Sequence, residues 1–451
     1  EQIKPIVDHL VGLLLTLRHP GAFCAVEEPL QMVASAMFRS GIEDIRNYPQ
    51  VILKKAVNDC LLQPEIQVTR RSAGLPLCMS AILSAINQRG KQFVNGEALL
   101  SIPMDSMLEL IECLDLTLQN PSPSIIHGLN ILRTLFRNGS LDYLTGSKVT
   151  RCFEACFRSF GSSSWSVRNG AMMLFGALVR RVFGCGHSPD PELMAQVDVR
   201  QISLKFPNLI DCFRRQLLSS NESTIYPLLS VLQRLRFSTG AITQHSDLFE
   251  ATIRFLFNDC TSNSSAKIRA MSCRLLVKSL LASSPELVWP QMKIFAFDRL
   301  AEARSANELA GKLTIILKIL SLDLDLEISV DIGLMEKIWK SSKLPAAIRY
   351  PALAIWKNIT GQNVSIDFFK KIAALPNQPY LYELFMTCLK SFEADEEVVP
   401  VIGSMKSDVV KYRVLVWLMD QRQTRPLEFA FSQLSLDTER YSLLYIYNRF
   451  R

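Results

Sequence analysis

Trp165-Ser166-Val167-Arg168-Asn169-Gly170-Ala171-Met172-Met173-Leu174-Phe175-Gly176-Ala177-Leu178-Val179-Arg180-Arg181-Val182-Phe183-Gly184 decides the fold. Within it Met172, Leu174, Phe175, Leu178, Val179 and Val182 recur at intervals of three and four rather than two. A helix returns to the same face every ~3.6 residues, so this spacing predicts a helix and excludes a half-buried strand. The same period runs through most of the chain. Short breakers separate the helices: Asn120-Pro121-Ser122-Pro123, Gly161-Ser162-Ser163-Ser164, Ser219-Ser220-Asn221, Thr261-Ser262-Asn263-Ser264-Ser265 and Ser341-Ser342-Lys343-Leu344-Pro345.

The segments that follow such breakers form a loose repeat. Val68-Thr69-Arg70-Arg71-Ser72-Ala73, Trp165 to Gly170, Lys267-Ile268-Arg269-Ala270-Met271 and Ala347-Ile348-Arg349-Tyr350-Pro351-Ala352 share an apolar residue or Thr, then Arg, then small residues. Weaker copies lie near Ile126, Ile225, Asn307 and Arg413. The interval is roughly 40 to 60 residues, the period of HEAT or armadillo hairpins. The expected fold is therefore an all-α, HEAT/armadillo-like helical-repeat α-solenoid, with 1–451 one continuous segment. Small residues let the second helix of a hairpin approach its neighbour, and the Arg near its start is placed to bond the loop or the next repeat. The loop from Gly184 to Pro191 and the acidic segment Glu393 to Glu397 are expected to face solvent.

Composition agrees with an ordered chain. Of 451 residues, 48% are hydrophobic and 21% charged, with 19 Gly and 21 Pro, which excludes disordered and collagen-like classes. The eleven cysteines include Cys113, Cys152, Cys156 and Cys212, all in apolar helical patterns with no Cys-x-x-Cys pair, and read as reduced, cytoplasmic core residues. No apolar run approaches the roughly 18 to 20 residues that cross a bilayer, so no membrane insertion is expected. Glu1 is no initiator Met and the chain opens inside an amphipathic pattern, which reads as a piece of a longer protein.

Signatures of catalysis are missing. Five scattered histidines (His9, His19, His127, His187, His245) offer no metal-ligand spacing, so no metal is expected. Cys152 and Cys156 share a helix face with Phe153, Phe157 and Phe160 nearby, which favours packing over thiol chemistry. There is no Gly-x-Ser-x-Gly elbow, no phosphate-binding Gly loop ending in Lys-Ser/Thr, and no Gly-rich turn after a strand to seat a methyl donor. The chain is expected to be no enzyme and to need no cofactor.

What remains is surface charge. The net charge is +7, and between Asn130 and Leu218 twelve basic residues face six acidic ones. Arg133 with Arg137, and Arg180 and Arg181 with Arg168, fall at helical spacings that can cluster them to neutralise phosphates. From charge alone this reading stands beside another, a protein-binding scaffold with no RNA role, whose hairpin grooves take a helix or peptide while the arginines form solvated faces and inter-repeat ion pairs.

Three segments carry a resemblance. Trp165 to Gly184 closely resembles the signature of the thyroid adenoma-associated protein (THADA) family. Thr69-Arg70-Arg71-Ser72-Ala73-Gly74-Leu75-Pro76 is similar to its upstream Arg-Arg-Ser-Ala-Gly motif, and His127-Gly128-Leu129-Asn130-Ile131-Leu132-Arg133-Thr134-Leu135-Phe136 to its His-x-Leu-Asn-Ile-Leu-Arg segment. The specific match spans 69–184. The resemblance implies a cytoplasmic, non-catalytic regulatory subunit, of which this chain is a C-terminal part. Such a subunit binds and positions tRNA while an FtsJ-type partner methylates the 2′-hydroxyl of nucleotide 32 in the anticodon loop. It implies RNA or partner contact for Arg70, Arg71, Arg168 and Asn169, with Trp165, Phe175 and Phe183 building the core. Together with the charge reading, the candidate site is Arg70, Arg71, Arg133, Arg137, Arg168, Asn169, Arg180 and Arg181.

Overall fold

The computed structural model describes residues 3–17, 19–62, 74–88, 91–92, 95–184, 196–219, 221–282, 285–322, 328–378, 380–390, 398–407, 409–411, 413–414 and 417. They fall into two compact units, Glu1–Phe255 and Leu256–Arg451. Each is an all-α stack of helical hairpins, the solenoid architecture that the periodicity predicts.

The first unit runs α1 (Ile3–Thr16), α2 (Pro20–Phe38), α3 (Glu43–Leu62), α4 (Leu75–Ser84), α5 (Gly96–Glu112), α6 (Pro123–Arg137), α7 (Asp142–Thr145), α8 (Val149–Phe160), α9 (Trp165–Phe183), α10 (Val199–Lys205), α11 (Pro207–Ser219), α12 (Glu222–Leu232), α13 (Thr239–Gln244) and α14 (Ser246–Phe255). Hairpins α5–α6 and α8–α9 set the pattern. Their first helices pack in one row, α3 on α5 on α8 on α11, and their second helices in another, α4 on α6 on α9. Strands among the described residues are two-residue pairs: β1 (Asn87–Gln88) antiparallel to β2 (Lys91–Gln92), and β3 (Val197–Asp198) parallel to β4 (Leu235–Arg236).

The second unit continues with α15 (Ala266–Ala282), α16 (Pro285–Met292), α17 (Ala306–Leu320), α18 (Ile332–Lys340), α19 (Ala346–Thr360), α20 (Ile366–Ala373), α21 (Leu381–Leu389) and α22 (Val398–Gly403). Its second-helix row is α15 on α17 on α19 on α21. Wide π-type turns at Leu256–Cys260 and Lys293–Asp298 end the helices before α15 and α17.

The repeat motif opens second helices. Trp165, Lys267 and Ala347 sit in the first turns of α9, α15 and α19, and the weaker copies at Ile126, Ile225 and Asn307 fall in α6, α12 and α17. The copy from Val68 to Ala73 lies outside the described residues. The motif arginine has a structural use. Arg168 Nη1 donates to the carbonyls of Ser162 and Ser163 at 2.6 and 2.8 Å. Arg269 Nη1 repeats this on Asn263 and Ser264 at 2.7 and 2.9 Å, and reaches Asn307 Oδ1 of the next hairpin at 3.0 Å. Loop carbonyls outside the helix ladder need donors, and one guanidinium satisfies two at once. The small residue that follows lets helices close up: a Cβ on Gly170 would stand 2.9 Å from Leu129 Cδ1 of α6.

An aromatic cluster fixes the α8–α9–α11 junction. Phe153 meets Phe175 edge-on at 5.6 Å and Phe213 at 5.3 Å, and Phe160 meets Phe175 at 5.6 Å. Cys152, Cys156 and Cys212 are buried beside them, and burial pushes the Cys212 thiol up to about 12, far from a reactive thiolate. Cys24 and Cys113 depart from the core expectation, since both are exposed. Cys113 is the residue after the last turn of α5, where the chain leaves the packed face. Trp165 departs more sharply: expected in the core beside Phe175 and Phe183, it is 65% exposed while they are buried. As the first residue of α9 it lies on the face turned from α6 and α8. Among the described residues, no helix is long and apolar enough to cross a membrane and no His/Cys/Asp/Glu group is placed to hold a metal.

Candidate nucleic-acid interface

The twelve basic residues between Asn130 and Leu218 have separate fates. Six form ion pairs. Lys148 and Arg151 at the start of α8 meet Asp105 of α5 at 2.7 and 3.0 Å, and Arg151 also meets Glu112 at 2.7 Å. Arg215 of α11 reaches Glu154 of α8 at 2.7 Å, Arg214 pairs with Asp211 at 2.7 Å, and Arg200 with Asp198 at 3.2 Å. Arg181 pairs with Asp142. The pairs of Lys148, Arg151 and Arg215 form a ladder along the first-helix row, α5 to α8 to α11, and those of Lys148 and Arg151 hold Asp105 and Glu112 below the ordinary carboxylate range. For Glu112 the chief cause is the Arg151 hydrogen bond; for Asp105, burial pushes upward but Lys148, Ser101 and Arg151 outweigh it.

Arg158 and Arg168 serve backbone carbonyls, Arg158 Nη2 donating to Leu114 at 3.0 Å. Lys205 lies over the Phe206 ring at 5.3 Å. Arg133, Arg137 and Arg180 line one groove of ≈ 270 Å³ on the second-helix row. Its other walls are Met172, Met173, Gly176, Ala177, Val179, Gly184 and Arg234. No carboxylate lines it among the described residues.

Each arginine is placed by the fold. Arg133 and Arg137 are one turn apart near the end of α6, and Arg180 lies in the last turn of α9, where both helices end in carbonyls that favour cations. Arg137 and Arg180 are exposed and carry no hydrogen bond or ion pair among the described residues. Arg234 follows α12, and sequence reasoning missed it, because no local pattern marks it. The β3–β4 bridge brings it in: Gln196 Nε2 donates to the carbonyls of Gln233 and Leu235, both at 3.1 Å, and the Val197 N–H donates to that of Arg234 at 2.8 Å. Its guanidinium is half-buried with no partner among the described residues, and burial lowers its pKa. A cation desolvated without a counter-charge strengthens the field in the groove. Gly176 keeps the floor open, since a Cβ there would meet nothing within 4 Å.

The remaining expected residues separate from this group. Arg181, next to Arg180 in sequence, points the other way: its Nη2 donates to the carbonyls of Phe136 and, at 2.9 Å, Asn138, tying α9 to the end of α6. Its side chain is 10% exposed, and burial lowers its pKa. Helical spacing put Arg181 with Arg180 in the candidate site, but residues one apart on a helix face about 100° apart, and only Arg180 faces the groove. Arg168 is held by its loop. Asn169 is exposed on α9, with no partner among the described residues. Arg70 and Arg71 lie outside the described residues, as do most of the Gly184–Pro191 loop and all of Glu393 to Glu397.

Comparison with known proteins adds the following. Two family models match in succession, "THADA/TRM732, DUF2428" over residues 1–166 and "Trm732, C-terminal TPR repeats" over residues 168–319. The groove draws on both, Arg133 and Arg137 from the first and Met172 to Arg180 of α9 with Arg234 from the second. The tRNA (32-2′-O)-methyltransferase regulator trm732 of Schizosaccharomyces pombe is 26% identical over 340 residues, which cover 71% of this chain and 22% of that protein. The regulators named THADA from Gallus gallus and Homo sapiens are 30% and 27% identical over 227 and 293 residues, covering 48% and 61% of this chain but 11% and 15% of theirs. The chain thus spans about a fifth or less of the length of these curated relatives.

Proposed function

The chain belongs to the THADA/Trm732 family, and from that premise we propose that it is part of a cytoplasmic, non-catalytic regulator of tRNA 2′-O-ribose methylation. In this reading it binds tRNA and presents nucleotide 32 of the anticodon loop to an FtsJ-type methyltransferase, which performs the transfer. The supporting observation is the groove where Arg133, Arg137, Arg180 and Arg234 converge with no carboxylate among the described residues, Arg137 and Arg180 being exposed there. Such a site neutralises phosphates and releases their counterions, so binding is strong at low salt and falls as salt rises. Arg70 and Arg71 belong to the proposal through their motif alone.

The test uses the full-length protein with its methyltransferase. Arg137→Ala/Arg180→Ala is expected to weaken tRNA binding and lower the slope of log affinity against log salt by about 1.4 to 1.8, near 0.7–0.9 per lost phosphate contact. Methylation of nucleotide 32 falls with it. Unchanged affinity and slope in the folded variant refute the assignment and favour a protein-only scaffold.

A further inference from the structure

The groove is one end of a longer exposed surface on α9. Trp165, Asn169, Met172, Met173, Gly176 and Arg180 are all exposed on one face of α9, at the spacings that align residues along a helix. Trp165 is 65% exposed, Met172 41% and Met173 39%. At ~1.5 Å per residue, Trp165 and Arg180 lie about 22 Å apart along the axis. Neither Trp165 nor Asn169 has a hydrogen-bond or ring partner among the described residues.

An exposed large aromatic beside two exposed methionines is unfavourable in water, and such a surface marks an interaction site. The charge beside it restricts the occupant to something anionic. A duplex presents phosphates outward and its bases inward, and so leaves Trp165 and the methionines uncovered. An acidic protein segment answers the arginines but covers the indole only where it also carries an aromatic or proline ring at that point, whereas every unpaired nucleotide brings a π-face beside its phosphate. An unpaired RNA segment supplies both, with phosphates for Arg137 and Arg180, π-faces for Trp165, and base edges for the donors and acceptor of Asn169.

We propose that this face of α9 is a nucleobase platform, on which unpaired bases of an RNA loop lie against Trp165, Met172 and Met173 while their phosphates meet Arg137 and Arg180. The proposal rests on the RNA-binding reading and adds to it a discrimination between looped and paired RNA. Trp165 is then a positioning residue for the methylated strand.

The experiment measures binding of two labelled RNAs to the full-length protein at one ionic strength, a hairpin with an unpaired loop and a blunt duplex with as many phosphates. Trp165→Ala is expected to weaken hairpin binding about fivefold or more, the loss of one stacked base, with duplex binding unchanged and most of the affinity kept in Trp165→Phe. Because the side chain is exposed, the unfolding midpoint stays in place. Equal loss on both RNAs, or none on either, overturns the platform. Arg137→Ala/Arg180→Ala is the reference arm. If it weakens tRNA binding while Trp165→Ala leaves hairpin binding intact, the platform falls and the RNA reading stands; if neither weakens binding, both fall. If Trp165→Ala abolishes capture of the methyltransferase with RNA affinity unchanged, the face is a protein-docking surface and the platform is refuted.

Discussion

Arg180 and Arg181 are neighbours with opposite environments, so truncating each to Ala separates binding from stability. Arg181 supplies two hydrogen bonds to carbonyls at the end of α6 and an ion pair to Asp142. Losing the charged donor leaves part-buried carbonyls without a partner, at about 1–3 kcal/mol, and removal of its packed stem adds a smaller packing loss. Arg181→Ala is therefore expected to destabilise by about 2–4 kcal/mol. For a unit the size of Glu1–Phe255, at ~2–4 °C per kcal/mol, its unfolding midpoint drops by roughly 4–16 °C. Arg180→Ala removes an exposed side chain with no partner, so its midpoint stays within about 0.5 kcal/mol of the parent while its salt slope for tRNA falls by about 0.7–0.9. Thermal unfolding by circular dichroism, with tRNA titrations at several salt concentrations, reads both. The reasoning is refuted if Arg181→Ala keeps its midpoint and loses affinity, or if Arg180→Ala unfolds early.

Gly176→Glu places a carboxylate in open space on the groove floor; it is expected to lower tRNA affinity at least tenfold while raising helix stability by up to about 1 kcal/mol, read by binding and thermal melts. Arg269→Ala removes three hydrogen bonds, to Asn263, Ser264 and Asn307, and is expected to cost the second unit about 2–3 kcal/mol in urea unfolding with little effect on tRNA affinity. Asp198 is 2% exposed, and although burial pushes its carboxyl up, Ser238 and Arg200 carry it below the ordinary value. A carboxyl depressed on folding stabilises above its unfolded pKa of ~3.9, and that contribution is lost as pH falls through the lower folded value. Asp198→Asn is thus expected to reduce stability at pH 7 and flatten the acid dependence below about pH 4; a parallel acid curve would remove Asp198 from the account.

The amino-acid order by itself determined the helices, their breaks and their pairing, because a 3.6-residue apolar period and Gly/Ser/Pro interruptions are local properties. It also marked the motif arginines as able to bond a loop or the next hairpin, which Arg168 and Arg269 do. It placed Phe175 and the paired cysteines of α8 in the core and located the basic segment. Only the tertiary structure decided which charges are available. Whether an arginine is neutralised depends on residues far along the chain: Arg151 meets Asp105 and Glu112 because α8 stacks on α5, whereas Arg137 and Arg180 line a groove with no carboxylate among the described residues. The same holds for Arg234, brought to the groove by a two-residue parallel bridge, and for Trp165, which the family signature put in the core and which packing leaves on an exposed face of α9. Periodicity tells a residue which side of its own helix it occupies, and only packing tells it what stands opposite.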